Sequence, residues 1–154
     1  MSRLDARIPP PLVMLLAAGL GWGLSQACPG ITLSAWTGDR ALAIACASIG
    51  TGLDAVAGVH FLRRRTTVNP LRLQASTQLV TDGLHRFSRN PMYLGQALIL
   101  LGFVLWQHHS AAFLALPFYL GWVSRFQIVP EERALRAKFG VAYIDYCQRV
   151  RRWL

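Results

Sequence analysis

The sequence predicts an all-α integral membrane protein: about four transmembrane helices, the last two a tight hairpin, then a cytoplasmic C-terminal amphipathic helix. Three observations lead there. The 154 residues are 53% hydrophobic and only 15% charged, against a charged share of roughly a quarter in soluble domains. Four apolar stretches reach or approach the ~20 residues a helix needs to cross a bilayer. The basic residues flank those stretches instead of gathering on one soluble surface. The net charge of +9 therefore reads as membrane topology and not as nucleic-acid binding. Cys28, Cys46 and Cys147 have no paired spacing, so neither a disulfide framework nor a metal site is expected.

The first stretch is Ile8–Ala27, with Ala17, Gly19, Gly21 and Gly23 as a surface of small residues. Ser25-Gln26-Ala27 before Cys28 also looks like a signal-peptide cleavage site. The prolines at 9–11 and the acidic Asp5 make a poor basic leader, however, so the span is expected to be retained. The second stretch is Ala41–Leu62. Its Gly50, Asp54 and Gly58 recur every four positions and predict a close-approach stripe. Asp54 is the carboxylate deep in a span. It is either a structural tether or a substrate contact, because an intramembrane charge is costly. The third stretch, Pro91–Gln107, is short, and the fourth, Ser110–Val129, follows after little more than His108 and His109. That spacing predicts the hairpin. Along the chain, 1–62 holds the first two spans, 63–90 a loop, 91–129 the hairpin and 130–154 a final polar segment.

Arg3 and Arg7 precede the first span; Arg63, Arg64, Arg65, Arg72, Arg86 and Arg89 lie between the second and third. Arg133, Arg136, Lys138, Arg149, Arg151 and Arg152 follow the fourth, and Arg40 lies on the other side. By the positive-inside rule, both termini and the 63–90 loop are expected in the cytoplasm, across a bacterial-type inner membrane.

Two polar segments then share one face of the membrane. In the first, Asn90-Pro91 reads as an N-cap followed by the first helical position, where proline has no N–H to lose. Unpaired N–H groups and the helix dipole at such a start favour a carboxylate or phosphate. Arg86 and Arg89 would strengthen that preference, and Tyr93 adds a hydroxyl one turn in. The plainer reading is a capped helix with interfacial arginines. In the second segment, Glu131 and Glu132 follow Pro130. They either complement a helix dipole or hold an ammonium or ribose hydroxyls; no neighbouring ligand set suggests a metal. Phe139, Tyr143 and Tyr146 recur at i, i+4 and i+7, one face of an amphipathic helix. That face either lies on lipid or covers an apolar ring system such as adenine.

Together these segments resemble the isoprenylcysteine carboxyl methyltransferase and phospholipid methyltransferase superfamily of small integral-membrane enzymes. The signature G-P-Y-R-Y-x-R-H/N-P-x-Y-x-G is met by Gly83, Arg86, Arg89, Asn90, Pro91, Tyr93 and Gly95. The following E-E-x-x-L and F-G-x-x-Y-x-x-Y are met by Glu131, Glu132, Leu135, Phe139, Gly140, Tyr143 and Tyr146, with Trp153 in a basic end. The RRRTTVNP run of residues 63–70 is similar to the segment these proteins carry after their second span, so the resemblance covers roughly residues 61–154. Departures are Leu84 and His85 where Pro and Tyr are common, and Asn90 where the prenylcysteine enzymes carry His.

The resemblance implies S-adenosylmethionine (SAM) bound on the cytoplasmic side. Arg89, Asn90 and Tyr93 would face its polar part, with Arg86, Pro91 and Gly95 completing that half. Glu131 and Glu132 would anchor its ammonium or ribose, and Phe139, Tyr143 and Tyr146 would cover the adenine. Transfer to a carboxylate needs no base, whereas an amine or thiol has to lose a proton. Asp54, His60 and His85 are the candidate bases. The expected partners are the lipid bilayer and a lipophilic acceptor that enters sideways, its head group near Arg63–Arg65. The glycine stripes also permit pairing between copies of the chain. Rival readings are a sterol-reductase-like oxidoreductase, for which the chain is short, and a non-enzymatic membrane accessory protein. The latter leaves Glu131-Glu132 and the aromatic face unexplained.

Overall fold

The computed structural model describes residues 8–28, 39–63 and 79–154. Arg3, Arg7, Arg64, Arg65 and Arg72, with the rest of the 64–78 segment, lie outside the described residues, as does the side chain of Arg63. Helix α1 is Pro10–Ala27, α2 is Asp39–Arg63 and α3 is Pro91–Trp106. A 3-10 turn, Ser110–Leu114, leads into α4 (Ala115–Val123), a π-helical turn (Ser124–Ile128) and α5 (Val129–Phe139); α6 is Val141–Arg149. No strand occurs among the described residues. Two of the helical runs, Asp39–His60 and Ser110–Phe139, are long and apolar enough to cross a membrane, and Pro91–Trp106 is a shorter apolar helix.

The packing inverts the pattern of a soluble bundle. Helix α1 buries Val13, Ala17 and Gly21 while exposing Leu15, Leu16 and Trp22. Helix α2 buries Ala43, Gly50 and Ala57 while exposing Ile44, Ile49 and Val56. Small residues inside and large apolar ones outside is how helices pack when hydrocarbon is the solvent, because close backbone approach is then the main attraction.

Helices α2 and α3 run antiparallel along one seam. A Cβ added at Gly95 would lie 2.7 Å from the Gly50 carbonyl oxygen, and one at Gly102 would lie 2.6 Å from that of Ala43. Asp54 also lines the seam at Gly95, but Gly58 has no neighbour within 4 Å of an added Cβ. The expected stripe is therefore corrected: it runs through Ala43, Ala47, Gly50, Asp54 and Ala57. Steps of four alone drift around a helix of 3.6 residues per turn, whereas alternating steps of four and three stay on one face. On α1, likewise, Gly21 packs on Ala112 and Ala115, but Gly19 and Gly23 have open space.

Hydrogen bonds fasten both ends of the bundle. At one end the His109 ring bonds the Cys28 carbonyl over 2.7 Å, while its Nδ1 accepts from the Ala111 N–H at 3.2 Å. Since Nδ1 is the acceptor, Nε2 carries the proton and donates. His108, at φ 49, pairs with Asp39 over 3.2 Å, and Arg40 lies 5.5 Å over the Trp106 ring. At the other end Gln127, completely buried in the π-helical turn, donates to the Ile8 carbonyl over 2.5 Å.

The last stretch departs from expectation twice. The fourth apolar run continues as one helical rod to Phe139, without a break at Val129. The anticipated single amphipathic helix is interrupted at Gly140, whose φ of 53 ends α5. Phe139 and the two tyrosines nevertheless meet in one apolar cluster with Val150 and Leu135.

The seam makes a direct prediction. Gly102→Ala places a methyl against backbone that cannot swing away, and should lower stability by about 1–3 kcal/mol, read as thermal midpoint in detergent. Gly52→Ala, with nothing within 4 Å, should hold or raise that midpoint, because alanine favours helix by about 1 kcal/mol over glycine.

Candidate functional site

Three stretches far apart in sequence converge at the end of the bundle where α3 begins. The 3-10 turn Gly83–Arg86 opens the first, with Gly83 at φ 59, a left-handed conformation that favours glycine. Buried Ser88 then accepts from the Asn90 N–H through its hydroxyl, 3.1 Å away. Pro91 occupies the first turn of α3 as expected, but the Asn90 side chain does not cap it. It donates instead to the Arg152 carbonyl over 2.9 Å, and the Arg89 N–H donates to the Arg151 carbonyl over 3.0 Å. The C-terminal residues are thereby bound to the helix start, and Trp153 packs against the main core.

Both carboxylates of the second segment face this junction. Tyr93 donates its hydroxyl to Glu131 Oε1 over 2.5 Å. Glu132 lies between two guanidinium groups: Arg89 Nη1 at 3.3 Å, and Arg152 in a two-pronged contact at 3.1 and 2.7 Å. Arg89 also reaches Cys147 Sγ at 2.6 Å. With its side chain 16% exposed, Arg89 depends on Glu132 for compensation. Its Nε, buried, has no hydrogen-bond partner among the described residues.

Helix α6 completes the enclosure. Tyr143 and Tyr146, 2% and 4% exposed, place their rings 6.2 Å apart. The Tyr146 hydroxyl donates to the His85 carbonyl over 2.7 Å, which locks α6 onto the 3-10 turn. Burial pushes the Tyr146 phenol up to about 12, so it remains a donor throughout the ordinary pH range. Above the same turn, His60 Nε2 and Asp82 Oδ1 are 2.8 Å apart, and the His60 and His85 rings stack at 6.4 Å. Burial, then the nearby His60, lowers His85 to about 4, which keeps it neutral.

Of the residues expected to form a cofactor site, the structure brings together Arg89, Asn90, Pro91, Tyr93, Glu131, Glu132, Phe139, Tyr143 and Tyr146. Arg86 is exposed on the turn. Gly95 faces Gly50 and Asp54, so its missing side chain serves the α2–α3 seam. Asp54 lies within the bundle: Gln96 reaches its carboxylate, Tyr119 donates to Gln96 over 2.9 Å, and Asp54 Oδ1 is buried without a hydrogen-bond partner among the described residues. Arg152, Cys147 and Asp82 were not singled out from sequence. Arg152 sits in a basic tail that reads as a topology signal, and Asp82 meets His60 only because the chain turns back.

Two measurements test this electrostatic picture. Glu132→Gln strands two guanidinium groups and should cost up to about 3 kcal/mol of stability, visible as a lower thermal midpoint in detergent. For His85, the folded group sits near 4 and the unfolded one near ~6.5. Between those values the unfolded chain binds more protons, so stability is full above the unfolded value and falls as pH drops toward about 4. His85→Gln should flatten that slope.

Residues 39–142 match the phospholipid methyltransferase family, well over half of the chain. An uncharacterized protein of Haemophilus influenzae (strain ATCC 51907 / DSM 11121 / KW20 / Rd) is 46% identical over 63 residues, covering 41% of this chain and 100% of that relative. No solved structure matches. The chain thus belongs to the phospholipid methyltransferase family.

Proposed function

We propose that this protein is an integral-membrane methyltransferase that moves a methyl group from SAM to a lipophilic, membrane-accessible acceptor. Family membership supports methyl transfer in general. The observation that carries the finer reading is the meeting of Tyr93–Glu131 with Arg89–Glu132–Arg152 under the α6 tyrosines.

The residues fit the chemistry of such a donor. SAM carries an ammonium, a carboxylate and a sulfonium, and when bound supplies a methyl group on electron-poor sulfur. Glu131 uses one oxygen on Tyr93, which leaves the second to accept from an ammonium or a ribose hydroxyl. The orphaned Arg89 Nε suits a carboxylate. Phe139, partly buried beside the two tyrosines, suits an adenine ring. The chain's part is to align the reactants and exclude water, and the tail bound over the α3 start suits the latter.

The arrangement in the membrane follows from charge. Arg86, Arg89, Arg133 and Arg152 lie in segments at the site end, while Arg40 lies at the other. The positive-inside rule then places the site in the cytoplasm, with α1, α2, α3 and the 110–128 run as four spans. The exposed leucines and isoleucines of α1 and α2 are the surface offered to lipid. Helix α3, at 16 residues, spans about 24 Å, so its polar start sits within the head-group layer. An acceptor with its tail in the bilayer reaches that level without leaving it.

Calorimetric titration of SAM into purified protein in detergent tests this reading. Wild type should bind; Glu131→Gln and Tyr93→Phe should each weaken binding about 10-fold or more, the loss expected for a charged hydrogen bond. A folded wild-type protein that takes up no SAM would overturn the proposal.

A further inference from the structure

The methyl-donor reading leaves one cluster of side chains unused. His60, Asp82 and His85 gather beside the 3-10 turn, apart from Glu131 and Glu132. The α2–α3 register sets their level: Gly50 meets Gly95 and Ile99, and Asp54 meets Gly95. Carried on along α2, that antiparallel register puts His60 beside the residues just before α3. This is the depth at which a lipid-anchored acceptor would present its head group.

The hydrogen bond fixes the state of the ring. Asp82, as a carboxylate, only accepts, so His60 Nε2 carries the proton and Nδ1 carries the lone pair. Nδ1 has no hydrogen-bond partner among the described residues. The side chain is 26% exposed, enough to be reached and too little to be freely hydrated. The Gly83 turn lies against the ring, where an added Cβ would be 3.4 Å from its Cε1. An imidazole held by a carboxylate on one nitrogen and open on the other is the arrangement of a general base. Asp82 and His85 are the titratable groups facing it among the described residues, and His85 stays neutral.

Resting on the methyltransferase reading, we propose that His60 is the base that takes a proton from the methyl acceptor, with Asp82 its positioning residue. The acceptor is then a protic nucleophile, an amine or a thiol, and not a carboxylate. The proton passes from nitrogen or sulfur to His60 Nδ1, and Asp82 stabilises the imidazolium through Nε2–H. The lone pair so exposed bonds to the methyl carbon, and the electrons of the broken carbon–sulfur bond return to the donor's sulfur. No oxidant or reductant is needed.

The test uses three acceptors with the same tail, dodecylamine, dodecanethiol and dodecanoate, supplied with SAM to the full chain in detergent. His60→Gln keeps a donor toward Asp82 but cannot take a proton at neutral pH, so its fold should survive. It should lower transfer to the amine or thiol about 100-fold and abolish the acid limb of the wild-type rate profile. Added imidazole should restore part of the rate to His60→Ala. A separate readout needs no turnover: dodecylamine should slow carbethoxylation of His60 by diethyl pyrocarbonate, followed by mass spectrometry. Dodecanoate as the sole acceptor, an unchanged rate and acid limb in His60→Gln, or no protection of His60 would each overturn the proposal. SAM calorimetry on the same samples separates the two readings. A His60→Gln protein that binds SAM normally yet loses nothing sinks this inference alone.

Discussion

The contact of backbone on backbone between α2 and α3 sets everything else. Where Gly50, Gly95 and Gly102 leave out side chains, the two helices approach until carbonyl oxygens would touch any added carbon. In hydrocarbon there is no reward for hiding leucine, so attraction comes from dispersion along such a seam. The seam also fixes register. A shift by one residue would drive Cβ atoms into the opposing backbone, so α2 can offer His60 at only one height relative to the start of α3.

That register connects two chemically distinct clusters. On one side, Arg89, Glu132 and Arg152 make a charge group whose three members come from the α3 entrance, from α5 and from the C-terminal tail. Removing water from three charges is costly, and the group persists because Glu132 serves both guanidinium groups at once. On the other side, His60 and Asp82 form a smaller, more exposed pair. The 3-10 turn lies between them. It presents the His85 ring to His60 and the His85 carbonyl to Tyr146, so α6 and the dyad are fastened to the same turn.

Much of this was legible in the residues. The apolar runs mark α1, α2 and α3 to within about two residues, because proline starts and polar interruptions are punctuation that hydrophobic periodicity does not blur. Pairing of the segment around Arg89 with Glu131 and Glu132 was legible only through resemblance, since nothing local in either stretch points to the other. Three features escaped for separate physical reasons. The seam follows alternating steps of four and three, so Gly58 looked equivalent to Gly50 and is not. Gly140 breaks a helix that the aromatic spacing alone would continue, because spacing registers side chains and not the backbone's left-handed turn. Asp82 and Arg152 act through partners 22 and 20 residues away, and a charge in a loop carries no mark of what it will meet.

The division of labour follows from where each cluster can exist. A donor with ammonium, carboxylate and sulfonium requires several fixed charges, and these need rigid helix starts and a tail bound over them to keep water out. On the proposed reading, the acceptor arrives from the bilayer with a tail that does its own positioning. It needs little from the protein beyond a level and a proton acceptor. A carboxylate-held imidazole at the end of a span would supply both, because the span sets its depth and Asp82 sets its tautomer. The same seam that holds the bundle together without a soluble core thus sets how far apart the two clusters are held.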